Sequence, residues 1–150
     1  MVEAGVWARQ HVSFFAMTSS PDSDTLTEGI RVRASARFVP DQSDPMANQY
    51  LFAYRIVISN EGDSAAKLLT RKWVILDADN DREDVEGPGV VGEFPDLAPG
   101  ESFEYVSACP LTTSWGTMEG DYTFERADGT RFTAQVGRFF LVSDKHKQDA

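Results

Sequence analysis

The stretch from Val85 to Leu111 constrains this chain more than any other. Gly87, Gly89, Gly92 and Gly100 alternate with Pro88, Pro95, Pro99 and Pro110, so a long helix cannot run through it. Such punctuation divides a chain into short extended pieces and turns. Gly87-Pro-Gly-Val-Val-Gly92 also spells G-x-G-x-x-G, a string shared with phosphate-binding loops.

The segments on either side read as strands. Ile30, Val32, Ala34, Ala36 and Phe38 alternate with Arg31, Arg33, Ser35 and Arg37, which predicts a half-buried strand with one wet face. Tyr50–Ser59 is apolar enough for a central strand. Lys67–Asp77 predicts one or two strands anchored in the core by Trp73, with a hairpin tip at 77–81 and a short return strand around Glu83–Glu86. Ser102–Cys109 alternates again, placing Phe103, Tyr105, Ser107 and Cys109 on one face. Gly120–Ala127 and Arg131–Val136 flank Asp128-Gly129, a strong hairpin signal, and Gly137 marks a bulge or bend before Phe139–Leu141. Seven to nine short strands with no helix predict an all-β sandwich of two antiparallel sheets. Residues 1–28 read as a flexible extension whose part from Thr18 is a loose, turn-rich lead-in. Residues 29–142 form the domain, and 143–150 a charged tail.

Composition narrows function. At 150 residues the chain makes one domain, able to bury roughly 70% of the surface its unfolded form exposes. A net charge of −10 opposes nucleic-acid binding, which needs cations to displace counterions from phosphate. No apolar run reaches membrane-spanning length. The single cysteine, Cys109, cannot form an intrachain disulfide, in keeping with a cytoplasmic protein, and it reads as a buried structural thiol.

Several residue patterns resemble the ApaG domain: Phe52-Ala-Tyr54, Leu68-Leu-Thr-Arg71 with Trp73, Val85–Glu93, Tyr105–Leu111, and Gly116-Thr-Met-Glu-Gly120 with Tyr122. The likeness runs from about Gly29 to Val142. It implies an immunoglobulin/fibronectin type III-like sandwich and, in bacteria, a small protein associated by name with cobalt and magnesium resistance or efflux. It also implies an interaction module, because eukaryotic members carry the domain beside F-box or polymerase-interacting regions. The resemblance supplies no catalytic residues. Ser114-Trp115 departs from the family pattern, where Thr-Pro or similar precedes the glycine.

The functional expectation is a non-enzymatic binding module, monomeric or homodimeric, with a protein partner and no nucleic acid, membrane or required cofactor. Partner-binding candidates are Gly87, Gly89, Gly92, Glu93, Phe94, Leu97 and Trp115, expected together at one end of the sandwich. One alternative is nucleotide or pyrophosphate binding or hydrolysis at Gly87–Gly92 with a divalent cation. Against it, Pro88 removes an amide donor, no helix follows, and Glu83, Asp84, Glu86, Glu93 and Asp96 crowd the motif. The other alternative is a direct sensor of Mg²⁺ or Co²⁺ at Asp77, Asp79 and Asp81. Their alternation begins like a calcium loop, but Arg82 stands where the turn glycine belongs and Pro88 where the bidentate glutamate belongs.

Overall fold

The structure is a computed structural model and describes residues 20–143. The expectations for residues 1–19, and for the tail beyond 143, lie outside the described residues. Nine strands run in chain order: β1 (Ser23–Thr27), β2 (Ile30–Phe38), β3 (Tyr50–Asn60), β4 (Ala66–Asp77), β5 (Arg82–Pro88), β6 (Asp96–Leu97), β7 (Ser102–Leu111), β8 (Trp115–Arg126) and β9 (Arg131–Val142). All pairings are antiparallel. One sheet has the order β1-β2-β3-β7, the other β5-β4-β8-β9 with β6 on the start of β4. The β3–β4 and β7–β8 connections cross between sheets, as in an immunoglobulin/fibronectin type III-like sandwich.

The alternation in β2 does what its pattern dictates: Ile30, Val32 and Ala34 are buried while the intervening arginines and serine face water. Opposite them, Trp73 is fully buried at the centre of β4. Its ring makes edge contacts with Tyr54 (5.5 Å, 71°), Tyr122 (6.1 Å, 81°) and Phe139 (6.0 Å, 83°). Edge-to-face pairs of this kind add about 0.5–1.5 kcal/mol each beyond area burial. The Tyr105 and Tyr122 hydroxyls share a 2.6 Å hydrogen bond across the sheets. Cys109 is buried, as its position on the inner face of β7 predicts.

Two bulges keep the inner faces aligned. One interrupts β4 between Leu68 and Thr70, so that 66 and 68 and then 71, 73 and 75 share the inner side. The other sets Glu119 against Gly137 and Arg138, the place where the sequence marks a bend. Gly120 permits close strand contact there, since a Cβ would lie 1.9 Å from the Lys72 carbonyl oxygen.

The lead-in is where the structure departs from the sequence reading. Residues 23–27 form β1, paired along its length with β2. Thr25 Oγ1 donates to the Gln135 carbonyl, and Thr27 Oγ1 accepts from the Gln135 amide, closing that side of the sandwich against β9. Ser, Asp and Thr suit an exposed edge strand that is held by backbone and hydroxyl bonds. Its polarity conceals it from an apolar-period search.

The two ends of the sandwich are built differently. At one end, buried Asn60 donates to the Ser64 and Leu97 carbonyls and accepts from the Gly62 amide. Arg126 joins the same end, donating to the carbonyls of Glu28 and Ser64. The opposite end, where Tyr50, Asp77 and Leu111 terminate their strands, is open.

Candidate functional site

The Gly-rich segment is the last part of β5 and a tight hairpin folded back upon it. Val90 and Glu93 exchange amide-to-carbonyl bonds of 2.9 Å in both directions, leaving Val91 and Gly92 as the two turn residues at φ 42° and 81°. Positive φ at both central positions is the type I′ pattern. Glycine adopts it without cost, but a β-branched residue such as Val91 is strained there. The Gly89 amide donates to the Leu69 carbonyl (2.9 Å), and Val90 is fully buried beneath the turn.

Arg71 fixes this segment from the facing strand. It shares the inner side of β4 with Trp73, and its Nη1 donates to the carbonyls of Pro88 and Gly89 at 3.1 Å each. Gly87 is the residue that admits it: a Cβ there would meet the guanidinium at 2.9 Å. At Gly89, with φ 59°, a Cβ would come within 2.3 Å of the Glu93 carbonyl oxygen. Two glycines of the motif therefore have packing roles. The amides of Gly89, Val90 and Glu93 are spent on protein carbonyls, whereas a phosphate cradle would aim them at an anion. The segment runs on through Pro95 into β6, not into a helix.

The structure divides the sequence-predicted site. Gly87, Gly89, Gly92, Glu93, Phe94 and Leu97 lie together on the β5–β6 side. Leu97 is 5% exposed and belongs to the core, whereas Phe94 is 48% exposed over Gly89. Trp115 is elsewhere. Pro88 pairs with Thr70 and Gly116 with Asp77, so about seven residues of β4, roughly 23 Å, separate the two places along the strand. The expectation that the Gly-rich loop and the Leu111–Gly120 segment share one end is therefore corrected. β4 carries β5 along one edge and β8 along the other, with the loop leaving opposite Thr70 and Trp115 lying past Asp77.

Trp115 stands on the outer face of the second sheet, 38% exposed, stacked on Phe140 with ring centroids 6.4 Å apart at 22°. Phe140 is 55% exposed and pairs with Thr117, whose other neighbour is Leu76. Charged pairs lie on the strands around them, Arg138–Glu119 at 2.9 Å and Arg82–Asp84 at 2.7 Å. The Arg82 guanidinium beside Asp84 holds that carboxyl below its ordinary range, and burial, partly opposed by Lys72, raises the Asp121 carboxyl on the same face. The sequence points to Trp115. Phe140 is legible in the sequence only as part of the closing strand, since two adjacent phenylalanines do not reveal which faces out until the bulge at Gly137 sets the register.

Asp77, Asp79 and Asp81 bring carboxylate oxygens within 4.8 Å of one another at the β4–β5 tip. Asp77 Oδ1 accepts from the amides of Asp79 (2.9 Å) and Asp81 (3.0 Å), so it caps the turn. Asp79 and Asp81 are exposed. A hard cation usually takes six or more oxygens, about twice what three monodentate carboxylates supply.

The architecture defines a class of protein first: a single immunoglobulin-like sandwich whose glycine-rich hairpin is locked by its own hydrogen bonds and whose outer sheet face exposes aromatic rings. A profile of the ApaG domain matches residues 40–126. The chain is 46% identical to Protein ApaG of Dechloromonas aromatica over 123 residues, which cover 82% of this chain and 97% of that one. It is 49% identical to Protein ApaG of Azoarcus sp. over 120 residues, covering 80% and 94%. Among solved structures, that of a Bordetella pertussis protein described as ApaA superposes with a TM-score of 0.74 at 42% identity, covering 83% of this chain and 96% of that one. This chain belongs to the ApaG family. Among its described residues, no helix is long and apolar enough to cross a membrane.

Proposed function

We propose that this ApaG-family chain is a non-enzymatic, cytoplasmic binding module that recognises a protein partner through the outer face of its second sheet. The observation that carries the reading is the stacked, solvent-facing Trp115–Phe140 pair, beside Leu76, Thr117 and Val142 and with ion pairs on the surrounding strands. Aromatic residues of this kind, rimmed by charge, are the usual anchors of protein interfaces. The rings stand on strands paired along their length, a scaffold that suits a preformed binding surface. The family-level association with cobalt and magnesium homeostasis enters this reading through the partner.

The test is partner capture from the native cell by the wild-type chain and by Trp115→Ala and Phe140→Ala, with thermal unfolding measured on the same preparations. Both variants should stay folded and lose most of the captured partner. A folded Trp115→Ala variant that captures the same partner at wild-type strength would overturn the proposal.

The convergence of Asp77, Asp79 and Asp81 favours a second reading, direct sensing of Mg²⁺ or Co²⁺ at the β4–β5 tip. Calorimetric titration separates the two, because a sensor should bind the cation saturably and lose it in Asp79→Asn. The pyrophosphate alternative has no such support, since the amides it needs already hold the hairpin closed.

A further inference from the structure

The open end of the sandwich holds a cavity of about 610 Å³, within the range of small-molecule sites. From the first sheet it is lined by Tyr50, Leu51, Pro110 and Leu111, and from the second by Asp77 and Glu83. The strand pattern explains this mixture. Tyr50 and Leu111 lie on the inner sides of β3 and β7, continuing the rows of Phe52 and Cys109. Asp77 and Glu83 occupy the inner sides of β4 and β5, in the rows of Trp73, Ile75 and Val85. Both carboxylates are half-buried and stand at the open end of those rows, beyond the apolar Ile75 and Val85. Gln42, Asn48, Gln49 and Thr112 supply the polar remainder of the lining.

We infer that this cavity binds a small organic cation, an ammonium or amidinium group on an apolar stem such as an aliphatic diamine. The stem would lie along the Tyr50–Leu111 side, where apolar area leaves water, and the charged end would meet Asp77 and Glu83. Tyr50 adds a ring face able to attract a cation. A bare metal ion suits the cavity less well, because it would leave the apolar Tyr50–Leu111 wall unused and wants six or more oxygens around one point. An anion would face two inward carboxylates in a chain of net charge −10. The cavity is distinct from the Trp115–Phe140 surface, so failure of partner capture leaves this inference standing, and the reverse holds.

Hexamethylenediamine is the probe, titrated into the full-length protein at physiological salt and followed by calorimetry and by amide chemical shifts. Hexanediol supplies the same stem without charge, and Mg²⁺ supplies charge without the stem. The expected result is saturable binding of the diamine, with shifts centred on residues 48–51, 77–83 and 110–112, and no comparable binding of the other two. Glu83→Gln should weaken the diamine about tenfold through loss of one charge partner. Asp84→Asn removes the same charge from the outer face of the same strand and should leave binding unchanged. Equal weakening in both variants, shifts scattered over the acidic surface, or no diamine binding at millimolar concentration would overturn the proposal. Equal competition by Mg²⁺ would do the same. If Glu83→Gln does not fold, the wild-type shift map and the two control ligands decide.

Discussion

Gly89→Ala and Gly92→Ala form a matched pair that tests whether the G-x-G-x-x-G segment is architectural. Both glycines sit at positive φ, 59° and 81°, so each alanine should cost about 1 kcal/mol for entering the left-handed region. Their surroundings then separate them. A Cβ on Gly92 meets nothing within 4 Å, whereas one on Gly89 lies 2.3 Å from the Glu93 carbonyl oxygen. That oxygen accepts the Val90 amide, and the Gly89 amide itself is bonded to Leu69. Relieving the clash must move the backbone of one arm of the hairpin, and either bond is worth about 1 kcal/mol net or more if a buried group is left unpaired. Gly89→Ala should therefore cost about 2–4 kcal/mol against about 1 kcal/mol for Gly92→Ala. Urea unfolding at equilibrium reads the difference as a shift of midpoint at constant slope. Equal losses, or a smaller loss at Gly89, would refute the packing argument and return the motif to ligand binding.

Pyrophosphate or ATP with Mg²⁺, at millimolar concentration, should leave the melting temperature unmoved, because the loop amides are engaged; a saturable rise would count against this. Arg71→Met removes two hydrogen bonds to the loop carbonyls and should cost about 1–3 kcal/mol in urea unfolding, with the loss concentrated in faster exchange of the Val90 and Glu93 amides. Cys109, buried on β7, should be inert to a thiol reagent in the native state and react at the rate of unfolding. Deleting residues 1–28 removes β1 and its Thr25 and Thr27 bonds to Gln135, so the truncated domain should unfold at lower urea; an unchanged midpoint would show that β1 is ornamental. Asp24 on β1 is depressed below its ordinary 3.8 first by its hydrogen bond to Arg31, with Arg33 adding to it. A depressed carboxylate stabilises the fold above about pH 4 and loses that contribution as pH falls through its folded value. The stability gap between wild type and Asp24→Asn should accordingly be present at pH 7 and shrink as pH falls below the ordinary 3.8.

What the sequence disclosed depended on whether a residue's role is set by its neighbours in the chain or across the sheets. β2 and β7 were legible because a sheet with one wet face must alternate, β3 because a continuous apolar run of strand length marks a central strand, and Trp73 because it sits inside the apolar run Trp73–Leu76. Asp128-Gly129 announced the β8–β9 hairpin through local turn chemistry, and Gly129 indeed stands at φ 88°. β1 was illegible because its stability comes from backbone pairing and threonine hydroxyls, which leave no apolar period. The candidate sites were harder still, since each is made by register. Gly87 matters because Arg71 lies opposite it, a fact fixed by the pairing of β4 with β5 and invisible in G-x-G-x-x-G alone. Trp115 was visible as an aromatic among small residues, but its partner Phe140 reaches the outer face only because the bulge at Gly137 shifts β9 by one residue. The same reasoning bears on the cavity. Asp77 and Glu83 read as ordinary turn carboxylates until the strand parity is known, and that parity turns both inward beside Tyr50 and Leu111. Two charges at the open ends of these rows, beyond Ile75 and Val85, weaken the hydrophobic closure of that end. A sandwich that seals its other end with Asn60 and Arg126 has the means to close both, so the open, acidic mouth is where a ligand would recover the most free energy by arriving.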